Sequence, residues 1–306
     1  MNILFAGTPE PSARILEHLL ECSNLNVVGV LSQPDKPQKR GKIVAESPVS
    51  SIATLNQIKI YKPNDLNDAN FIKDIQLLNI DVLLVAAYGK ILPDWLLEIS
   101  NIVPINIHYS LLPLYRGASP IQTSLINGDT NTGVTFMKMV KGLDEGDIIK
   151  KYELKIKQNH NKISLENDLC LLSIRYLNEV LDLIKINKFS YVKQDNDLAS
   201  YCSKIKKSDS IVNFDSPAEE IFNKFRAYYE WPGTAFNYKD IRIKICEMTV
   251  SDIISSKRPG NIFKFDSSGL YINTSTKVIV ITYLQFPGKK IISSSDAFNA
   301  YKSFFV

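Results

Sequence analysis

The chain is poor in the residues that hold metals and close disulfides. Its 306 residues include three histidines, His18, His108 and His160, and four cysteines, Cys22, Cys170, Cys202 and Cys246. No histidine pair has the H-x-x-x-H spacing of a helical zinc site, and no cysteine pair has the C-x-x-C spacing of a zinc or redox site. Neither a metal nor a redox centre is expected. The glycine-rich phosphate motifs are missing too. The opening Ala6-Gly7-Thr8-Pro9-Glu10-Pro11 lacks the G-x-G-x-x-G spacing that admits a pyrophosphate, and there is no G-x-x-x-x-G-K-[ST] loop. A nicotinamide or flavin enzyme and a P-loop nucleotidase are therefore disfavoured. Long apolar runs are lacking as well. The segment Met1–Gly7 has no basic leader and ends too soon for a signal peptide, and Val82–Ala87 is only strand length. These features point to a cytoplasmic protein with no membrane association.

What the chain does have is an ordinary globular composition, with 45% hydrophobic and 22% charged residues. Its length suggests roughly two domains of about 150 residues. The net charge of +4 is uneven. Residues 206–306 hold 14 Lys+Arg against 10 Asp+Glu, which leaves 22 against 22 before them. An excess of this size does not by itself identify a nucleic-acid face.

Apolar runs and helical spacings alternate through the first half. Strands are expected at 2–6, 26–31, 58–61, 81–88, 104–109 and 133–140. Helices are expected between them, one carrying Ile15, Leu16, Leu19 and Leu20 on one face and others at 50–57, 65–78 and 120–126. Such alternation predicts an α/β domain, a doubly wound and mostly parallel sheet with helices on both faces. A long amphipathic helix follows from Ser164, read as its N-cap, to about Lys188. The chain then turns polar, and a linker is placed at 190–206, between a domain of residues 1–189 and one of residues 207–306. Beyond one short helix, strand-like runs at 241–247, 260–265, 270–273 and 277–284 predict a smaller antiparallel, OB-like β-barrel.

The residues that carry chemistry begin at Asn106-Ile107-His108, where strand alternation puts an amide and an imidazole on one face. The strand runs into Ser110-Leu111-Leu112-Pro113-Leu114-Tyr115-Arg116-Gly117, an ordered loop at the C-terminal edge of the sheet, where open α/β sheets bind their ligands. A second loop, Gly142-Leu143-Asp144-Glu145-Gly146-Asp147, can return to the same crevice. An amide, an imidazole and a carboxylate suit acyl transfer to an amine. Asn106 and a protonated His108 would stabilise the oxyanion, and Asp144 would favour the charged ring and relay a proton toward the leaving nitrogen. Each residue alone is more often structural, the N-x-H in a strand as packing and Asp144 as a turn cap. The ordered combination is what singles them out.

This combination resembles the folate-dependent formyltransferases, whose signature joins an N-x-H strand to an S-L-L-P-x-Y-R-G loop and a G-x-D-x-G-D loop. The resemblance implies that Asn106, His108 and Asp144 are the catalytic trio and that Ser110, Leu111, Leu112 and Pro113 contact folate. It also implies that the segment Ala86–Pro93, with Gly89 and Ile91, lines a pterin pocket, and that 10-formyltetrahydrofolate is the donor, without a metal. Three stretches resemble members that act on initiator methionyl-tRNA. They are the opening Phe5–Glu10, the basic loop Gln33–Lys42, and Tyr201–Lys207 with Trp231-Pro232-Gly233. Arg40, Lys42, Lys206 and Lys207 are implied contacts to the tRNA acceptor stem, and a monomer is expected. Tyr109 departs from the pattern, since a small residue is usual there. It either narrows the pocket or faces the other side of the strand. Competing readings are formyl transfer to an amino-sugar nucleotide, hydrolysis of the formylfolate, and a tRNA-binding module without catalysis.

Overall fold

The computed structural model describes residues 1–38, 43–254 and 256–305. They fall into two compact units. The first comprises Met1–Pro120, Asn131–Ile156 and Glu166–Cys202, and the second Ile121–Thr130, Lys157–Leu165 and Ser203–Val306. The main division, at Cys202, lies inside the 190–206 stretch. The two short insertions that join the second unit carry no compositional mark.

In chain order the first part contains β1 (Asn2–Gly7), α1 (Glu10–Glu21), β2 (Asn26–Leu31), β3 (Lys36–Gln38), β4 (Ile43–Ala45), α2 (Pro48–Leu55), β5 (Ile60–Tyr61), α3 (Ala69–Gln76), β6 (Val82–Ala86), α4 (Asp94–Leu97) and β7 (Val103–His108). There follow β8 (Arg116–Gly117), α5 (Pro120–Ile126), β9 (Asn131–Lys138), β10 (Ile148–Lys155), α6 (Lys162–Lys185) and β11 (Tyr201–Cys202). Seven strands form one sheet in the order β10-β9-β7-β6-β1-β2-β5. The pairings among β7, β6, β1, β2 and β5 are parallel, whereas β9 is antiparallel to both β7 and β10. The strand order reverses between β1 and β6, which makes the C-terminal edge there a crevice for ligands.

Local sequence explains these elements. β6, read Val-Leu-Leu-Val-Ala, is buried at every position, as a central strand covered on both faces must be. α1 buries Ser12, Ile15, Leu16 and Leu19, one helical face. α3 starts where Asp68 accepts a hydrogen bond from Phe71 N at 2.9 Å, and it buries Phe71 and Ile75. The start of α6 differs from the sequence expectation. Asn161, not Ser164, is the cap: its Oδ1 accepts from Ser164 N at 3.0 Å, while Ser164 Oγ accepts from Asn161 N at 2.9 Å. Ser164 is the reciprocal partner one turn in. β10 was not expected from sequence at all. Lys150, Lys151 and Lys155 mask it, as lysines do on an edge strand.

The second unit contains α7 (Ala218–Ala227), β12 (Thr234–Tyr238), β13 (Ile241–Val250), β14 (Ile262–Asp266), β15 (Gly269–Asn273), β16 (Val278–Gln285), β17 (Ile292–Ser293) and α8 (Ser294–Phe305). Its antiparallel sheet runs β12-β13-β16-β15-β14, with β17 on β16. Among the described residues β12 does not pair with β14, so the path stays open. The register shifts at Ile245/Glu247 and at Ile262/Lys264 are the irregularities that bend such sheets. Phe236, Ile243, Ile245, Leu270, Ile279 and Ile281 form the buried core beneath α7 and α8.

Candidate active site

Along β7 the side chains alternate, so that Ile105 and Ile107 lie on one face and Asn106 and His108 on the other. His108 is 5% exposed. Tyr109 continues the isoleucine face: its hydroxyl bonds to Ser173 and Cys170 of α6, and burial holds its phenol well above the usual tyrosine range. The tyrosine therefore packs behind the strand and does not narrow the crevice.

The loop after β7 is pinned through its own backbone. Ser110 Oγ donates to Leu114 O at 2.6 Å, while Thr135 Oγ1 donates to Ser110 O at 2.7 Å and accepts from Leu112 N at 3.2 Å. Leu112 is buried against Met137 and Ile148 and precedes a cis proline, Pro113. Tyr115 adopts a left-handed conformation at φ 60°. Its N–H donates to Ser200 Oγ at 2.9 Å, and its carbonyl accepts from His108 Nε2 at 2.9 Å. A carbonyl only accepts, so Nε2 carries the proton and Nδ1 is left to face the acidic loop.

That loop joins β9 to β10. A side chain at Gly146 would put its Cβ 1.8 Å from Lys138 O, so only glycine passes there. Asp144 sits at φ 52° and turns its carboxylate back toward β7. Its Oδ2 accepts from Gly117 N at 2.9 Å and lies 3.6 Å from His108 Nδ1; its Oδ1 accepts from Asn106 Nδ2 at 3.3 Å. Asn106, His108 and Asp144 thus meet around one carboxylate, with the His108 and Asp144 side chains only 6% and 15% exposed. An N–H-rich pocket of this kind, half withdrawn from water, can stabilise negative charge developing on an acyl oxygen and can move a proton.

The remaining expected residues are placed as follows. Ser110 and Leu112 are wholly buried, so their side chains shape the loop from behind, whereas Leu111 and Pro113 are half-buried. Gly89, at φ 81°, and Ile91, 89% exposed, lie on the exit from β6. That exit is anchored by the loops after β1 and β2: Thr8 Oγ1 and Gln33 Nε2 both donate to Tyr88 O, at 3.0 and 2.9 Å. A cleft of about 350 Å³ is lined by residues 64–67 and 90–93. Arg40 and Lys42 lie outside the described residues. Lys206 and Lys207, in the second unit, are exposed on a short 3₁₀ turn. Among the described residues no group of three His, Cys, Asp or Glu side chains is arranged to hold a metal, and no helix is long and apolar enough to cross a membrane. Sequence reasoning missed Arg116 and Gln194 as members of the site. Arg116 lies inside the loop motif, but Gln194 stands in a stretch that reads as solvated.

Comparisons with known proteins bear on both units. A family described as formyl transferase matches residues 1–181, and the formyl transferase C-terminal domain matches residues 204–302. The chain is 41% identical, over 98% of its own length and 95% of the relative's, to the methionyl-tRNA formyltransferase of Thermotoga maritima. To that of Legionella pneumophila strain Corby it is 36% identical, over 99% and 96% of the two chains. Among solved structures, an N-formyltransferase from Helicobacter canadensis, in complex with folinic acid and dTDP-3-aminofucose, superposes with a TM-score of 0.69. It is 20% identical and the match covers 91% of this chain and 98% of that one, which establishes a shared fold.

Proposed function

This chain belongs to the formyl transferase family, and from that premise we propose that it moves the formyl group of 10-formyltetrahydrofolate onto the amino group of initiator methionyl-tRNA. The observation that carries the reading is the meeting of Asn106, His108 and Asp144 around one carboxylate at the C-terminal edge of β7. The near full-length similarity to methionyl-tRNA formyltransferases supplies the acceptor.

In this reading Asn106 donates to the formyl oxygen, and His108 turns its Nε2 proton from Tyr115 O to the same oxygen, as the amine nitrogen attacks the formyl carbon and the oxygen gains negative charge. On its other side His108 Nδ1 keeps the Asp144 carboxylate 3.6 Å away. As the carbon–nitrogen bond to the donor breaks, the proton shed by the amine reaches the departing folate nitrogen through Asp144. No bond to the enzyme forms. The half-buried Leu111 and Pro113 and the main chain of Gly89 to Ile91 are proposed to hold the folate. Arg40 and Lys42, with Lys206 and Lys207 of the second unit, are proposed to meet the phosphates of the acceptor stem. The enzyme is proposed to work as a cytoplasmic monomer.

The test is transfer of labelled formyl from 10-formyltetrahydrofolate to charged initiator methionyl-tRNA, with uncharged tRNA and an amino-sugar nucleotide as parallel acceptors. Label on methionyl-tRNA alone is expected. Label on the sugar, or release of free formate regardless of acceptor, overturns the assignment.

A further inference from the structure

We infer that Gln194, gripped by the buried Arg116, is a positioning residue that holds Asp144 in its working geometry; the inference rests on the proposed role of Asp144. Gln194 is 5% exposed, and its side-chain amide is fully used. Its Nε2 donates both protons into the acidic loop, to Asp144 O at 2.8 Å and to Gly146 O at 2.7 Å. Its Oε1 accepts from Arg116 Nε at 3.0 Å. The partners fix which end is which. A flipped amide would set an acceptor against two carbonyls and a donor against the guanidinium N–H.

Arg116 is itself 1% exposed, a guanidinium out of water that must have its donors satisfied. Besides Gln194 it donates to Asn196 Oδ1 at 2.8 Å and to Tyr201 OH at 3.2 Å. Its nearest carboxylate, on Glu145, is 3.8 Å away and 46% exposed. Residues 194–201 therefore carry most of the hydrogen bonding that makes this burial tolerable. The next residue, Gly117, sends its N–H to Asp144 Oδ2, and β8 is fastened to β11 alongside. The chain Arg116–Gln194–Asp144 thus holds the aspartate from its backbone side while Gly117 and Asn106 orient its carboxylate. Asp144 needs such support, because a non-glycine residue at positive φ tends to relax to another conformation. The polar stretch after α6 is, in its first half, part of the catalytic apparatus.

The experiment is steady-state and single-turnover formyl transfer to methionyl-tRNA by the full chain carrying Gln194→Ala, Gln194→Glu, Asp144→Asn, or Gln194→Ala with Asp144→Asn. Gln194→Ala is expected to lower kcat roughly tenfold to a hundredfold, with KM for both substrates within about twofold. Gln194→Glu, of equal size but with only acceptors facing the two carbonyls, is expected to lose at least as much. In the Asp144→Asn background Gln194→Ala should cost less than about twofold, because the residue acts through the aspartate. An undiminished loss in that background, a loss confined to KM, or unchanged kcat in both single variants overturns the proposal. Should the Gln194 variants not fold, Asn196→Ala, which loosens Arg116 from its other side, serves in the same cycle with the same criteria. A wild-type chain that transfers no formyl to methionyl-tRNA refutes the functional reading instead, whereas active wild type with unaffected variants refutes only the positioning role.

Discussion

Asp144→Asn separates charge from shape at the centre of the site. Asparagine keeps the volume and one acceptor oxygen but replaces the other with an amide that only donates. In the native site the carboxylate faces Gly117 N–H at 2.9 Å, Asn106 Nδ2 at 3.3 Å and His108 Nδ1 at 3.6 Å. One of these groups must then confront the new N–H₂. The lost charge-assisted hydrogen bond is worth about 1.5–3 kcal/mol. A unit negative charge about 4 Å from positive charge that develops beside it during the reaction contributes about 4 kcal/mol at an effective dielectric constant of about 20. Only the part of this that is larger in the transition state than in the ground state lowers the rate. Taking roughly half gives about 3 kcal/mol, a fall of about 10² to 10³ in single-turnover rate. His108→Ala should fall into the same range, and the double variant should be little worse than either, because the two act as one unit. The assay is rapid-quench transfer to methionyl-tRNA at saturating donor, with a urea titration to confirm the fold. A folded Asp144→Asn enzyme within about tenfold of wild type, or costs that simply add in the double variant, would refute the reasoning.

Gly117→Ala should destabilise the chain by about 2–4 kcal/mol, read as a lower urea midpoint, because its Cβ would stand 2.3 Å from Cys202 O at φ 119°; a midpoint within about 0.5 kcal/mol of wild type contradicts this. Arg40→Ala is expected to weaken use of methionyl-tRNA with folate affinity intact and to reduce the slope of log K against log salt by about 0.9, the mark of one phosphate contact. An unchanged slope speaks against that contact. Tyr88→Phe tests a buried hydroxyl that has no hydrogen-bond partner among the described residues and whose pKa burial pushes up to about 12. Its removal should stabilise the chain by about 1 kcal/mol at neutral pH. The phenol ionises more readily in the unfolded chain, at about pH 10, so its ionisation leaves stability unchanged below that pH and lowers it as pH rises toward 12. The phenylalanine variant should therefore gain further on wild type between about pH 10 and pH 12 in unfolding titrations, and parallel curves would refute the assignment.

How much of this was legible in the sequence depended on whether a residue's partner is near it in the chain. β6 is readable because burial on both faces leaves an unbroken apolar run, and Asn106 and His108 are readable as a pair because a strand has period two. β10 is not, because an edge strand is free to carry Lys150 and Lys151 where a central one is not. β12 and α8 were likewise missed, since their apolar residues meet a core assembled from strands spread along the whole second unit. The same logic divides the site. That Asp144 belongs with His108 is suggested by a glycine-rich acidic loop, but the contact is made by a left-handed backbone, a donor at Gly117 and an amide 50 residues downstream. Gln194 has no local pattern to betray it: neighbours such as Lys193 and Asp195 are exposed, and only the folded chain shows that the glutamine points inward while they point out. Composition records the average polarity of a stretch, whereas the contact with the Asp144 loop is made by the one member of the stretch that departs from it. The polar segment reads as a connector because most of it is solvated, yet its buried glutamine joins the two loops that bring an imidazole and a carboxylate together.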